Sequence, residues 1–231
     1  MNGGAAIFVK TPGLSPVKTR LARGLGRERA EQWHRLAATA VAAVLRQAPG
    51  VTVYWAVAEP AAQAAPDWPG LPLLEQGEGE LGERMGRVHT ALLARHDFAL
   101  LLGADTPQIG PAELIAATDW LAAREARLVM GPARDGGFWL LGANRNPAAA
   151  DWVQSPCGRA DTARGFQVAM ARHGEWCFLP TLTDVDEPGD LGPMLVELDR
   201  LQRPAPEQLR LAEWTRAVSS PTRRLVPDGD A

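Results

Sequence analysis

Residues 98–110 read FALLLGADTPQIG, and the fold turns on how they are interpreted. Phe98 to Leu102 form an unbroken apolar run without polar alternation, the pattern of a parallel strand covered on both faces. The run stops at Gly103, and Asp105, Thr106 and Pro107 follow. In an open α/β sheet, ligands bind beyond the carboxyl ends of the strands, which is where this carboxylate falls. Two readings stand for Asp105. It is either an oxygen ligand for Mg²⁺ or Mn²⁺ held against phosphate oxygens, or the side chain of an Asx-turn or helix cap leading to Pro111.

The neighbouring sequence supplies the rest of such a sheet. Residues 5–9, AAIFV, predict a short buried strand, followed by a loop at 10–26 rich in glycine, proline and basic residues. Helical spacing of Trp33, Leu36, Ala37, Ala40, Val41, Val44 and Leu45 predicts a helix over 27–47, stopped by Pro49 and Gly50. VTVYWAV at 51–57 is β-branched and aromatic, a second strand. A short strand, a glycine turn and a helix reaching residue 95 precede the opening strand, and a helix over 111–124 follows it. Strands at 128–131 and 138–141 bracket PARDGG as a hairpin. A helix at 162–173 and a strand at 176–179 lead to TLTDVDEPGDL. Strands alternating with helices predict an α/β fold, a three-layer α/β/α sandwich with a mostly parallel mixed sheet. The domain is expected to span residues 1–202. Residues 203–231 read as an extension, with Leu209, Leu211 and Trp214 on a short docked helix before a loose tail.

Composition bounds the function. The chain has 231 residues, 46% hydrophobic and 22% charged, the profile of a globular protein with a substantial core. A net charge of −3 gives no general drive towards nucleic acid or acidic membranes, so a polyanion needs a local cluster of cations. Cys157 and Cys177 cannot make a four-ligand zinc site. The start MNGGAAIFVK lacks a signal-peptide pattern, and no apolar run approaches the ~20 residues of a membrane span. A reduced, cytoplasmic protein is expected. His34, His89, His96 and His173 form no HxH or HExxH spacing and are expected on helix surfaces. No GxSxG motif suggests a hydrolase.

Four further loci lie at strand ends. Lys10, Lys18, Arg20 and Arg23 cluster in KTPGLSPVKTRLARG, which is either a diphosphate- or triphosphate-binding loop or a solvated basic loop; its spacing is not that of a Walker A motif. In QGEGELGERM, Gln76 offers an amide suited to a base edge and Gly82 room for a base or ribose, against the plainer reading of a surface turn. Asp135, Gly136 and Gly137 are either a hairpin turn or a carboxylate and bare backbone presented to an acceptor. Asp184 and Asp186 lie two apart in a short extended segment. They are expected to face different ways, so that one of them is a second metal ligand.

Taken in order, FVKTPGLSPVKTRLA, LGERM, LGADTPQI, GPARDGGFWLLG and DVDEPGDL resemble the DUF2064 family. Its members are glycosyltransferase-like proteins, also called radical-SAM/selenodomain-associated transferase 1, of the GT-A or nucleotide-diphospho-sugar transferase superfamily. The resemblance implies a GT-A-like fold and a nucleotide site with Lys18 and Arg20 on the phosphates. It implies a divalent cation, Mg²⁺ or Mn²⁺, on Asp105 and on Asp186 or Asp184, with Gln76 and Gly82 towards the base or ribose. Asp135, Gly136 and Gly137 would lie near the acceptor. Here the metal motif is a single aspartate, not a full DxD.

The activity expected is metal-dependent transfer from a nucleotide sugar to a small acceptor, with Lys18 stabilising the leaving phosphate and Asp135 as the base. Guanylyltransferase-like nucleotidyl transfer from a nucleoside triphosphate, releasing pyrophosphate, is the alternative. A nucleotide-binding module without catalysis is a third.

Overall fold

The computed structural model describes residues 1–153 and 161–219 of the chain. Seven strands form one sheet: β1 (Gly3–Val9), β2 (Val51–Val57), β3 (Leu73–Glu75), β4 (Phe98–Gly103), β5 (Arg127–Pro132), β6 (Phe138–Ala143) and β7 (Glu175–Phe178). Their order is β3-β2-β1-β4-β6-β5-β7. All pairings are parallel except those of β6, which runs against both β4 and β5. The hairpin expected around PARDGG is thus the one antiparallel insertion in the described sheet.

The helices are α1 (Ala22–Leu25), α2 (Arg27–Leu45), α3 (Ala61–Ala64), α4 (Leu81–Leu93), α5 (Pro111–Leu121), α6 (Ala149–Val153), α7 (Thr162–Met170), α8 (Leu191–Asp199) and α9 (Pro206–Ser219). The opening strand explains the layering. Leu100 and Leu102 of β4 point into a core with Ile7, Val41, Leu45 and Leu114. Ala99 and Leu101 point the other way, among Met85, Val88, Leu92 and Phe166. Successive side chains of a strand face opposite sides, so FALLL needs apolar cover on both, which α2 and α5 provide on one side and α4 and α7 on the other.

A third cluster joins Leu21, Trp33, Val185, Met194 and Leu211. It seats α9 against α2 and α8. Leu211 is fully buried while Leu209 is exposed. The expected tail beyond Ser219 lies outside the described residues, as does Cys157. Between 162 and 173 the α-helix ends at Met170, and the last turn, Ala171–His173, is 3-10.

The site's position follows from topology. After β1 the chain crosses to β2 on one side, whereas β4 pairs on the other side of β1. Such a reversal opens a crevice at the carboxyl ends of the two strands. The basic loop leaves β1 there, and the Asp105 turn leaves β4.

Candidate active site

Lys18 is the centre of the arrangement. It is the one non-glycine residue with positive φ among the described residues, at 45°, a conformation that costs roughly 1–3 kcal/mol and that surrounding structure must hold. The result aims its ammonium inward, with the side chain 5% exposed. Nζ lies 2.8 Å from Asp105 Oδ2 and 3.3 Å from Asp186 Oδ1, and it also donates to the carbonyl of Val185. Burial opposes the charge on Lys18, but Asp105, Asp184 and Asp186 outweigh it and raise its pKa.

The acidic side is built from two turns that share backbone contacts. Val185 N–H donates to the carbonyl of Asp105 at 3.0 Å, placing the 182–186 segment beside the tip of β4. Glu197 of α8 accepts from Thr183 N–H at 2.9 Å and from Arg134 at 2.7 Å. Asp190 accepts from the N–H of Asp186 and of Glu187. Gln208 of α9 donates to the carbonyls of Pro107 and Ile109, at 2.7 and 2.9 Å. The Asp105 turn is therefore held from the C-terminal helix.

These supports bring Asp105, Asp184 and Asp186 together, with one oxygen from each within 4.8 Å of the others. Asp184 and Asp186 do not diverge as their sequence positions led one to expect. Residues two apart in an extended segment share a face, so both reach the site. The buried Val185 between them points into the core.

Crowding sets their protonation. Burial and then the charge of Asp105 push the Asp184 carboxyl up to about 7. Its Oδ1 accepts from the Thr106 hydroxyl at 2.9 Å. For Asp105, burial works upward, but the Lys18 ammonium holds the carboxyl well below the usual range. An oxygen set of this kind suits a hard divalent cation. Asp105 Oδ1 is buried and lies 3.7 Å from His34 Nδ1.

A cavity of about 310 Å³ runs from this cluster along the β1 loop, lined by Lys10, Lys18, Arg20, His34, Gln76, Asp105 and Asp186 among others. A second, of about 300 Å³, lies on the far side of Asp186, with Arg134, Asp135, Asp184, Glu187 and Asp190. The two share Arg20 and Asp186, and Arg20 binds Asp186 at 2.5 Å.

Other expected residues fall as follows. Arg23 is exposed on α1 and is not among the residues lining either cavity. Gln76 reaches the first cavity, but its amide nitrogen donates to the carbonyls of Val9 and Ala56. A base would meet only its oxygen. The close approach at Gly82 is to protein: a Cβ there would stand 2.1 Å from the carbonyl oxygen of Trp152. Asp135 Oδ1 accepts from Gly137 N–H at 2.9 Å across a turn in which Gly136 has φ 87°. It is thus a hairpin turn that also faces the second cavity.

Two histidines contradict the helix-surface expectation. His34 is 5% exposed and His89 fully buried. His34 shares the stripe of Ala30, Ala37 and Val41 on α2, and that spacing was the available signal. Burial lowers the pKa of His89 to about 4, so its ring is neutral near pH 7.

A family model described as an uncharacterized protein conserved in bacteria, DUF2064, matches residues 39–155, half of the chain. The chain belongs to the DUF2064 family. Within that span lie Gln76, Gly82, Asp105 and Asp135 of this DUF2064 protein, while the basic loop and the Asp184–Asp186 segment lie outside it. No curated protein sequence matches the chain.

Among solved structures, it is similar to a protein of Desulfovibrio desulfuricans G20 provisionally described as a nucleotide-diphospho-sugar transferase. The TM-score is 0.79 at 23% identity, covering 95% of this chain and 97% of that one. It is also similar to a CMP:2-keto-3-deoxy-manno-octonic acid synthetase complexed with CTP, with TM-score 0.52 and 15% identity over 87% of this chain and all of that one. A third is 4-diphosphocytidyl-2C-methyl-D-erythritol synthase of Anaerococcus prevotii DSM 20548, with TM-score 0.53 and 11% identity over 87% and 99% of the two chains. These likenesses establish the nucleotide-diphospho-sugar transferase fold for this DUF2064 chain. No helix among its described residues is long and apolar enough to cross a membrane.

Proposed function

We propose that this protein is a metal-dependent transferase that moves a sugar from a nucleotide-sugar donor to a small acceptor. One observation carries the reading: three carboxylates and two cations, Lys18 and Arg20, converge at the switch point between β1 and β4. The donor phosphates belong in the cavity of the β1 loop, where Lys10, Lys18 and Arg20 meet them. A divalent cation held by Asp105 with Asp186 or Asp184 would neutralise phosphate oxygens and make the nucleoside diphosphate a better leaving group.

The chain's own part is positioning and charge. Lys18 and Arg20 stabilise the negative charge that grows on the departing phosphate oxygen. Asp135, on the acceptor side, takes the proton of the attacking hydroxyl. A bond forms from that oxygen to the anomeric carbon, and the bond from that carbon to the phosphate oxygen breaks.

The acceptor cavity favours this over nucleotidyl transfer to a phosphate. Asp135, Asp184, Asp186, Glu187 and Asp190 line it. Of its two arginines, Arg134 is engaged on Glu197, and Arg20 serves the donor phosphates in this reading. Surplus negative charge disfavours a phosphate acceptor and suits a hydroxyl or amine. The fold is shared with nucleotidyl-transferring relatives, so the products must decide. With a panel of nucleotide sugars and nucleoside triphosphates, each with Mg²⁺ or Mn²⁺, the reading expects release of a nucleoside diphosphate that Asp105→Asn abolishes. Pyrophosphate release from a triphosphate overturns it in favour of nucleotidyl transfer. Tight binding without turnover would leave a binding module.

A further inference from the structure

Two kinds of residue line the donor cavity. Lys18, Arg20 and Asp105 bring charge, whereas Phe8, Leu81 and Gln76 are neutral. Topology separates them. Asp105 follows β4 on one side of β1, and Gln76 follows β3, beyond β2 on the other. Phe8 packs on the α4 side of the sheet, and Leu81, the first residue of α4, is 45% exposed. Gln76 is 4% exposed, and a polar side chain buried to this degree needs hydrogen bonds. Its backbone N–H donates to the carbonyl of Val57 at 2.9 Å, and its backbone carbonyl accepts from the Arg87 guanidinium. Its amide nitrogen donates to the carbonyls of Val9 and Ala56, at 3.2 and 2.8 Å. Those two carbonyls decide which way the amide faces, because an oxygen turned towards them would set acceptor against acceptor. Both N–H bonds of the amide are thus spent. A ligand in the cavity meets Oε1, a neutral acceptor whose direction is fixed by the ends of β1 and β2.

A fixed acceptor distinguishes one class of nucleobase from another. The exocyclic amino groups of cytosine, adenine and guanine donate to it. The projecting oxygens of uracil and thymine cannot, and bringing one of them against Oε1 leaves two acceptors facing each other. We infer that Gln76 selects a donor nucleotide whose base carries an exocyclic amino group. The inference rests on the nucleotide-donor reading above. Phe8 and Leu81 supply apolar contact for the ring, while Lys18 and Arg20 keep the phosphates on the β4 side of β1.

Calorimetric titration of the full chain with nucleoside diphosphates in Mn²⁺ tests it. Cytidine is compared with uridine, and adenosine and guanosine each with inosine, so that every pair differs by an amino group. The tightest-binding amino nucleotide should bind roughly tenfold or more tightly than its partner. In Gln76→Met, which keeps the length of the side chain without its oxygen, that ratio should fall to near one. A purely structural role would weaken both members of a pair alike and keep the ratio. A smaller ratio in the wild type, or one that Gln76→Met leaves in place, overturns the selection and leaves the nucleotide-donor reading standing. If none of the diphosphates binds, both fall. Should Gln76→Met not fold, Gln76→Asn, which draws the amide back by one methylene, serves in its place.

Discussion

Lys18 Nζ and Asp105 Oδ2 are 2.8 Å apart, joining the loop after β1 to the turn after β4 across the crevice between them. Strand order alone places the two loops side by side. The ion pair fixes their distance, and the carboxylates of the 182–186 segment close around it.

Replacing Lys18 by Met should weaken both fold and transfer. The lysine is buried among three carboxylates, and removing one partner of a buried pair costs about 3–5 kcal/mol when both are fully enclosed. Asp105 is 28% exposed, so the cost here should be smaller. Transfer should fall roughly 100-fold or more, as when a group stabilising transition-state charge is lost. Divalent cation should raise the melting temperature of Lys18→Met more than that of the wild type, because it replaces the missing positive charge. Scanning calorimetry with and without Mn²⁺ checks this, and equal shifts would contradict it.

The raised pKa of Asp184 predicts a pH trend. An acid protonated to higher pH in the folded chain than in the unfolded one binds more protons when folded. Stability contributed by this group therefore falls as pH rises from about 4, its unfolded value, to about 7. Asp105 has the opposite sign: its depressed pKa gives stability that is present above about 4 and lost as pH falls below that. In urea titrations between pH 4 and 8, Asp184→Asn should remove the decline. A decline of the same slope in the variant would show that Asp184 is not its source.

Gly82→Ala separates a structural glycine from a ligand-facing one. Its Cβ would collide with the Trp152 carbonyl, and overpacking of this kind costs about 1–3 kcal/mol. The melting temperature should drop while nucleotide affinity of the folded fraction stays unchanged. A loss of affinity without a loss of stability would return Gly82 to the nucleotide site.

Gln208→Leu tests the support from the C-terminal helix. Two buried carbonyls, of Pro107 and Ile109, lose their donor, at about 1–3 kcal/mol for each left unsatisfied. Because those carbonyls follow Asp105 directly, cation affinity should fall as well. Lowered stability with cation affinity intact would show that α9 supports the fold without positioning the site.

Much of this was legible in the sequence because it is local. FALLL declared a strand buried on both faces, and Asp105 at its end declared the rim of the sheet. The basic loop, the hairpin and the DVDEPGDL segment were each visible at a strand end. What was not legible depends on pairing across the chain. That Asp184 and Asp186 share a face follows from their spacing in an extended segment; that this face meets Asp105 does not, because it depends on Val185 N–H bonding the Asp105 carbonyl. Gly82 serves α6, some seventy residues further on. Gln76 has its nitrogen drawn to carbonyls of Val9 and Ala56. The burial of His34 was legible from its place on the apolar stripe of α2, but its approach to Asp105 was not, because that needs α2 laid against the β1 loop.

The central claim is that Asp105 couples cation and nucleotide in one site, and thermal shift of the full chain measures this most directly. Wild type and Asp105→Asn are compared with nucleotide sugars, with Mn²⁺ or EDTA. At about 100 times its dissociation constant a ligand stabilises the fold by about 2.7 kcal/mol, a clear rise in midpoint. The account predicts that rise for the wild type with Mn²⁺ and its loss both in EDTA and in Asp105→Asn. An equal rise in all three conditions would contradict it.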